Sequence, residues 1–227
     1  EGILLFFIVH SAVNPALLGL RFIVVFVLSQ AVRIPFYLLK RWYFFSAKRV
    51  LSRANVTVIG ITGSYGKTTT KEFLAHILSR TFRVVYTPEH VNTDIGITKY
   101  LSRTDFTGVD VCIVEIGAYN LGDIALITNI ISPHIGIITA VNEQHLSLFG
   151  SIERIQQTKF ELFAALPKTG LGITNSDNKY CREMLPSCTV PYKTYGTQEE
   201  FNPNMWIEYH GLKNGVQQIT FHDGTQQ

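Results

Sequence analysis

The chain has 227 residues, 46% of them apolar and 16% charged, which is enough apolar material for one sizeable core and a small appendage. Its net charge is +3, and the basic residues crowd into one segment, at Arg33, Lys40, Arg41, Lys48, Arg49 and Arg53. Such crowding argues against a nucleic-acid-binding face and favours a membrane surface as the partner.

The three cysteines of the chain are odd in number and form no CxxC pair. They therefore predict neither a zinc site nor a disulfide framework, and they suit a reducing, cytosolic setting. The first residue is Glu1 rather than Met, and the last residues read HDGTQQ, so we expect a fragment of a longer protein.

The first predicted element is apolar. Residues 3 to 28 carry only four polar side chains, and Pro15 divides the stretch into two halves, neither of which reaches the roughly 20 apolar residues of a membrane span. The whole stretch could cross once with a kink, or dip in and return. Residues 33 to 49, RIPFYLLKRWYFFSAKR, then mix aromatic and basic side chains as at a membrane interface.

We therefore predict that residues 1–50 form a membrane-associated helical segment. The positive-inside rule places residues 51–227 in the cytoplasm, at the inner face of the cell membrane. The alternative is a buried helical hairpin that caps the globular domain.

From residue 55 onward, short β-branched runs alternate with helical stretches such as 67–79 and 151–166. The runs are VTVIGIT, RVVYT, VDVCIVEIG, HIGIITAV and GLGITN. Apolar runs joined by helices are typical of buried parallel strands, so we predict an α/β fold with a doubly wound, mostly parallel sheet. After Cys188 the pattern predicts a β-hairpin that turns at Asn214-Gly215.

The stretch GITGSYGKTTT, which follows the first predicted strand, combines a glycine loop with a helix start. Its phosphate-binding residues are predicted to be Gly63, Ser64, Gly66, Lys67, Thr68 and Thr69. Such a loop binds nucleotide phosphates, with the lysine on the β and γ phosphates and the Thr68 hydroxyl on Mg²⁺. The strict P-loop has an earlier glycine where this chain has Ile61, and a chance Gly-Lys-Thr at a helix start is the alternative.

Two further candidates lie where α/β sheets place ligands, at the carboxyl ends of the strands. Glu115 ends an apolar strand and can hold Mg²⁺ beside the phosphates, the alternative being a solvated glutamate at a strand end. His145 follows the strand predicted at 135–141, the alternative being a structural histidine.

The loop GITGSYGKTTTKEF resembles the ATP loop of the Mur ligases and their folylpolyglutamate-synthase relatives. Further motifs follow in the order of the MurF-type central domain: NTDIG, VEIGAYNLGDI, HLSLFGS and TKFELFAALPKTGLGITNSDN. The resemblance covers residues 55 to about 180 and implies an ATP- and Mg²⁺-dependent amide ligase of peptidoglycan-precursor synthesis. In that family a substrate carboxylate is phosphorylated, and the amine of an amino acid or D-alanyl-D-alanine then displaces the phosphate.

The resemblance also implies roles for single residues. Asn92 and Thr93 would contact substrate and phosphate. Adenine and ribose would be bound by Asn175, Asp177 and Asn178, and His145 would serve a second magnesium.

Lys159 falls on the apolar stripe of its predicted helix, so burial is expected to lower its pKa and favour the neutral amine. A neutral amine can react with CO₂ to give a carbamate, which binds a hard divalent metal through oxygen. In the Mur ligases the lysine of the matching motif is carbamylated and serves the second magnesium. The alternatives are that Lys159 snorkels to solvent or pairs with Glu161 or Glu115.

Two departures from the family pattern leave other functions open. The family's N-terminal nucleotide-sugar domain and its C-terminal domain are not recognisable in these 227 residues, and the apolar segment stands in place of the former. The alternatives are a membrane-associated ligase of the poly-γ-glutamate or polyglutamylating kind, or a nucleotide-binding scaffold without turnover.

Overall fold

The computed structural model describes residues 15–144, 146–213 and 216–224. The chain divides into two compact units, with the boundary between Tyr43 and Phe44. The predicted apolar residues 3–14 and the predicted site residue His145 lie outside the described residues.

A single long helix, α1 (Pro15–Arg53), dominates the described part of the first unit. Its large apolar side chains are exposed on consecutive positions, and Leu20, Phe22, Val25, Phe26 and Leu28 are each more than half exposed. By length and composition, residues Gly19–Arg53 form one helix that could cross a membrane. The helical hairpin considered from the sequence is not found within residues 15–53, because α1 continues through Pro35 without a turn.

The last turns of α1 belong to the second unit. Ala47 is fully buried there and Leu51 is 7% exposed, and both join the main core cluster. The boundary between the units lies several residues before the 50/51 division expected from composition, because α1 continues as one helix whose buried residues begin at Tyr43.

The second unit is built on one eight-stranded sheet with the order β2-β3-β1-β4-β5-β6-β7-β8. Its strands are β1 (Thr57–Thr62), β2 (Val84–Tyr86), β3 (Val111–Glu115), β4 (Ile135–Ile138), β5 (Leu171–Asn175), β6 (Tyr192–Gly196), β7 (Met205–Lys213) and β8 (Val216–Asp223). All neighbouring pairs are parallel except the β7–β8 pair. The predicted α/β fold class with its doubly wound, mostly parallel sheet is confirmed, and β6 is a strand that the sequence pattern did not reveal.

The helices that follow the strands are α2 (Lys67–Leu78), α3 (Asp94–Leu101), α4 (Asp123–Ile131), α5 (Leu146–Phe149), α6 (Ile152–Ala164) and α7 (Lys179–Met184). Two short 3₁₀ turns, Leu185–Ser187 and Glu199–Phe201, complete the connections. The predicted helices at 67–79 and 151–166 correspond to α2 and α6.

The two faces of the sheet support two apolar clusters, as expected when strands are buried on both sides. Along β1, Val58 belongs to the larger cluster, while Ile59 and Ile61 belong to the smaller one. α2 covers the smaller cluster through Ala75. The helical spacing of the sequence predicts Phe73, Ile77 and Leu78 on one apolar face of α2, but Phe73 and Ile77 are exposed, and the buried residues of the helix are Lys71 and Ala75.

The β7–β8 pair is the antiparallel hairpin predicted from the sequence. Lys213 pairs with Val216. The turn predicted at Asn214-Gly215 lies outside the described residues.

Candidate functional site

A tight glycine loop joins β1 to α2 at the carboxyl edge of the sheet. Gly63 and Gly66 both have positive φ angles, +147° and +78°. A Cβ atom at Gly63 would lie 2.0 Å from the Thr139 Oγ1 atom, so only glycine fits there. The Ser64 N–H donates to the Ala140 carbonyl at 2.8 Å and the Ser64 hydroxyl accepts from the Asn142 N–H at 3.1 Å, which fastens the loop to the segment after β4.

Lys67 and Thr68 open α2, as predicted. The Lys67 ammonium donates to the carbonyl oxygens of Gly63 at 2.8 Å and Ser64 at 3.4 Å, so it lies folded over the loop. Burial lowers the pKa of Lys67 and the Glu115 carboxylate opposes this effect. Thr69 follows on the exposed side of the helix.

Glu115 is the centre of the site. It is the last residue of β3 and only 3% exposed, so it is not the solvated glutamate considered as the alternative. The Thr68 hydroxyl lies 3.1 and 3.0 Å from its two carboxylate oxygens, and the Asn92 side-chain amide donates to Oε1 at 3.3 Å. The Lys71 ammonium is 3.3 Å from Oε2. A buried carboxylate is therefore held beside the glycine loop by four polar contacts.

A small cavity of about 60 Å³ connects the loop with α6. Its lining includes Ser64, Lys67, Asn92 and Lys159, so the predicted phosphate, substrate and second-metal residues share one space. Lys159 is 4% exposed, which does not fit the snorkelling alternative. Burial and, next, the Lys67 ammonium lower the pKa of Lys159 to about 8.

The acidic partners considered for Lys159 are engaged elsewhere. The two carboxylate oxygens of Glu161 accept from the backbone N–H groups of Gly122 and Ala125, at 2.6 and 2.9 Å, near the start of α4. Glu115 is held by the residues described above. Lys159 is therefore a buried, largely desolvated amine that faces the loop.

Asn92 and Thr93 occupy the start of α3. Asn92 reaches Glu115, and its carbonyl accepts from the Gly117 N–H at 2.8 Å, which ties the loop to the strand end. The Thr93 hydroxyl caps α3 by accepting from the Gly96 N–H at 3.2 Å. Their expected contacts with substrate stay predictions.

The predicted adenine and ribose residues follow β5 and stabilise the local chain. Asn175 accepts from the Asp177 N–H at 2.9 Å. Asn178 caps α7, and its side chain also contacts both backbone polar groups of Val141. Asp177 accepts from the turn that follows β6. These residues lie at the same sheet edge as the glycine loop, and their contact with a nucleotide stays a prediction.

Sequence reasoning missed Lys71 and Thr139. Lys71 is fully buried although it is a lysine. The spacing could have indicated this, because Lys71 lies four residues after Lys67 in a helix and such residues share a helix face. The Thr139 hydroxyl donates to the Tyr65 carbonyl at 2.5 Å and so holds the glycine loop against the segment after β4. No residue spacing in the sequence predicts this contact.

The donor set fits a hard divalent cation. Mg²⁺ takes oxygen ligands and is usually held by one or two carboxylates together with substrate phosphates and waters. Here the Thr68 hydroxyl and the Glu115 carboxylate lie next to each other at the start of α2. They would hold the ion, which supplies charge neutralisation for the nucleotide phosphates.

A family model of the Mur ligase middle domain matches residues 61–225. The chain is 40% identical over 131 residues to a UDP-N-acetylmuramoyl-tripeptide–D-alanyl-D-alanine ligase of Synechocystis, covering 58% of this chain and 29% of that protein. It is 36% identical over 121 residues to the ligase of the same name from Escherichia coli, covering 53% of this chain and 26% of that protein.

Among solved structures, the MurF ligase from Thermotoga maritima in complex with ADP superposes with a TM-score of 0.73 and 28% identity. The match covers 82% of this chain and 42% of that one. The chain thus spans less than a third of the length of these curated relatives. Because the family model covers most of the sequence, the chain belongs to the Mur ligase family through its middle domain.

Proposed function

We propose that this chain is the ATP-binding central part of an ATP-dependent amide ligase of peptidoglycan-precursor synthesis. The ligase activates a substrate carboxylate as an acyl phosphate, which an amino acid or D-alanyl-D-alanine then attacks. The observation that carries the proposal is the buried Glu115 carboxylate, held against the Thr68 hydroxyl at the start of α2. Phosphoryl transfer depends almost wholly on such positioning and on charge stabilisation.

Each residue has a distinct task in this proposal. Lys67 places a positive charge on the β and γ phosphates, and the loop glycines let backbone N–H groups approach them. Thr68 and Glu115 hold Mg²⁺. Asn92, which already contacts Glu115, orients the substrate carboxylate beside the γ phosphate.

The test is nucleotide binding by isothermal titration with a nonhydrolysable ATP analogue and Mg²⁺. Lys67→Ala is expected to weaken binding at least about tenfold, since it removes a charged contact that contributes about 1.5–3 kcal/mol. Lys99→Ala serves as the matched control because Lys99 is an exposed lysine on α3. Equal affinity in the wild type and Lys67→Ala contradicts the assignment.

We further propose that Lys159 is carbamylated and, with His145, serves a second Mg²⁺. Supporting this is the pKa of about 8, which leaves roughly half of the amine neutral at pH 8 and able to react with CO₂. With ¹³C-bicarbonate, the wild type is expected to give a carbamate carbonyl resonance that Lys159→Met lacks. In the full-length enzyme, Lys159→Ala is expected to abolish ligation, and short-chain carboxylates should restore part of the activity. A resonance of equal strength in Lys159→Met contradicts this assignment.

We propose that α1 holds the protein at the cytoplasmic face of a membrane. The support is that Phe22, Ile23, Val24, Val25 and Phe26 are all exposed although they point around the whole helix circumference. A helix that is apolar on every side is typical of insertion into lipid rather than of lying on its surface. The 39 residues of α1 extend about 58 Å, longer than the roughly 30 Å hydrocarbon core.

Cell fractionation of the otherwise intact chain tests the anchor. Val25→Lys combined with Leu28→Lys is expected to release the protein into the soluble fraction, since each lysine costs about 2.5–3.5 kcal/mol in the membrane centre. Lys99→Ala is the control that stays in the membrane fraction. A second variant should begin at residue 44, which removes the exposed part of α1 and keeps Ala47 and Leu51, core residues of the second unit. Release of the wild type without detergent refutes the anchor.

The two alternatives raised by the sequence are less well supported. The curated relatives reported above carry the name of the D-alanyl-D-alanine ligase, which does not favour a polyglutamylating enzyme. A nucleotide-binding scaffold could keep the same loop and carboxylate, but both relatives carry the name of a ligase, which does not favour a scaffold without turnover. Product analysis of the full-length protein with ATP and candidate precursors distinguishes the three possibilities.

A further inference from the structure

Lys71 is a fully buried lysine that the proposed function does not use. Its side chain is 0% exposed, and its ammonium lies 3.3 Å from Glu115 Oε2 and 3.4 Å from Glu72 Oε1. It also lies 3.5 Å from the Pro88 carbonyl oxygen. Lysines are almost never fully buried unless they are paired, so we expect a specific carboxylate to compensate the charge of this ammonium.

Glu115 is that partner, since Glu72 is half exposed and Glu115 is 3% exposed. The contacts on Glu115 are divided between its oxygens: Asn92 bonds Oε1, Lys71 lies on Oε2, and the Thr68 hydroxyl contacts both. Donors from α2 and from the loop before α3 thus hold the plane of the carboxylate. Of these three donors, Lys71 alone supplies a full charge.

An ammonium group beside a metal-binding carboxylate has an electrostatic consequence. The pair Lys71–Glu115 has no net charge, so a free divalent cation gains little attraction on arriving at Glu115 and is repelled by the ammonium. The nucleotide phosphates add several negative charges to the same place. The cation is then attracted mainly when it arrives with the nucleotide.

We propose that Lys71 is a positioning residue that orients Glu115 and makes divalent-metal binding there dependent on the nucleotide. The proposal rests on the proposed function, in which Glu115 holds Mg²⁺ beside ATP. It predicts a direction that a purely structural role does not: removing the Lys71 charge tightens the binding of free metal while the carboxylate is kept.

The experiment measures Mn²⁺ binding to the full chain by electron paramagnetic resonance at pH 8, with and without a nonhydrolysable ATP analogue. Without nucleotide, Lys71→Met is expected to bind Mn²⁺ at least about tenfold more tightly than the wild type, because a like charge near the metal is gone. Lys71→Gln, which keeps a hydrogen-bond donor for Glu115 and is less disruptive, is expected to change in the same direction. Lys71→Arg keeps the charge and should resemble the wild type.

Two controls assign the effect. Lys99→Met removes an exposed lysine and is expected to leave Mn²⁺ affinity unchanged. The double variant Lys71→Gln, Glu115→Gln is expected to lose the gain, which places the extra metal on Glu115. Circular dichroism confirms that each variant is folded.

The outcomes separate the two proposals. Unchanged or weaker nucleotide-free Mn²⁺ binding in folded Lys71→Gln overturns the role of Lys71, while tight Mn²⁺ binding with the ATP analogue in the wild type still supports the proposed function. If the wild type binds no Mn²⁺ even with the ATP analogue, the metal role of Glu115 fails, and the role of Lys71 fails with it.

Discussion

Replacement of Lys159 by methionine tests the electrostatics of the site through stability. Lys159 is 4% exposed on α6. Burial is the largest cause of its lowered pKa, the Lys67 ammonium is the second, and the carboxylates of Asp123 and Glu161 partly oppose both. The amine is expected to keep its ordinary pKa of 10.5 in the unfolded chain and to have a pKa of about 8 in the folded protein.

This difference in pKa determines the sign and size of the change in folding stability. A gap of about 2.5 in pKa corresponds to about 3 kcal/mol. Because the folded-state pKa is the lower one, folding is penalised by this amount below pH 8, where both states hold the proton. The penalty decreases as pH rises and is gone above pH 10.5.

Lys159→Met removes the amine and nearly keeps the side-chain length. It is therefore expected to raise the free energy of unfolding by up to about 3 kcal/mol at pH 7, with the gain fading towards pH 10.5. Urea unfolding of the wild type and of Lys159→Met in CO₂-depleted buffers between pH 7 and pH 10.5 measures this gain in the free energy of unfolding. Lys99→Met should show no such pH dependence. A stability difference that stays constant over the range refutes the reasoning.

Three further predictions follow from single contacts. Gly63→Ala is expected to lower the melting temperature and abolish binding of the ATP analogue, because its Cβ would collide with Thr139 Oγ1; unchanged calorimetry and titration would contradict this. In the folded protein, iodoacetamide should label the half-buried Cys188 well before Cys112, whose pKa burial raises to about 12, and mass spectrometry of the peptides reports the order. Asp177→Ala should reduce the free energy of unfolding in urea by about 0.5–1.5 kcal/mol, since two exposed backbone N–H groups after β6 lose their charged acceptor to water; an unchanged free energy would contradict this.

The order of strands and helices could be predicted because it depends on local pattern. The runs that became β1, β3, β4 and β5 are mostly apolar, with polar residues confined to the ends of β1, β3 and β5, as is typical of strands buried on both faces. β6 escaped prediction because its sequence, YKTYG, is polar. Its place in the sheet comes from pairing with β5 on one side and β7 on the other.

The residues that define the glycine loop also lie close together in the sequence. Gly63, Gly66, Lys67 and Thr68 are neighbours in sequence, so their residue types and spacing were enough to predict a phosphate-binding loop at a helix start. Spacing could also place Glu115 at a strand end, because the end of an apolar run is visible in the sequence.

The sequence by itself thus determined the α/β fold class, the glycine loop at a helix start and the apolar helical segment, because each depends on a local residue pattern. Only the tertiary structure decided how buried Glu115 is and which groups contact it. Thr68 and Lys71 approach it from α2 and Asn92 from the loop before α3, and parallel pairing of β3 with β1 brings these two segments to Glu115. The lowered pKa of Lys159 has the same origin, since desolvation and the field of Lys67 act through space between residues more than ninety positions apart in the chain.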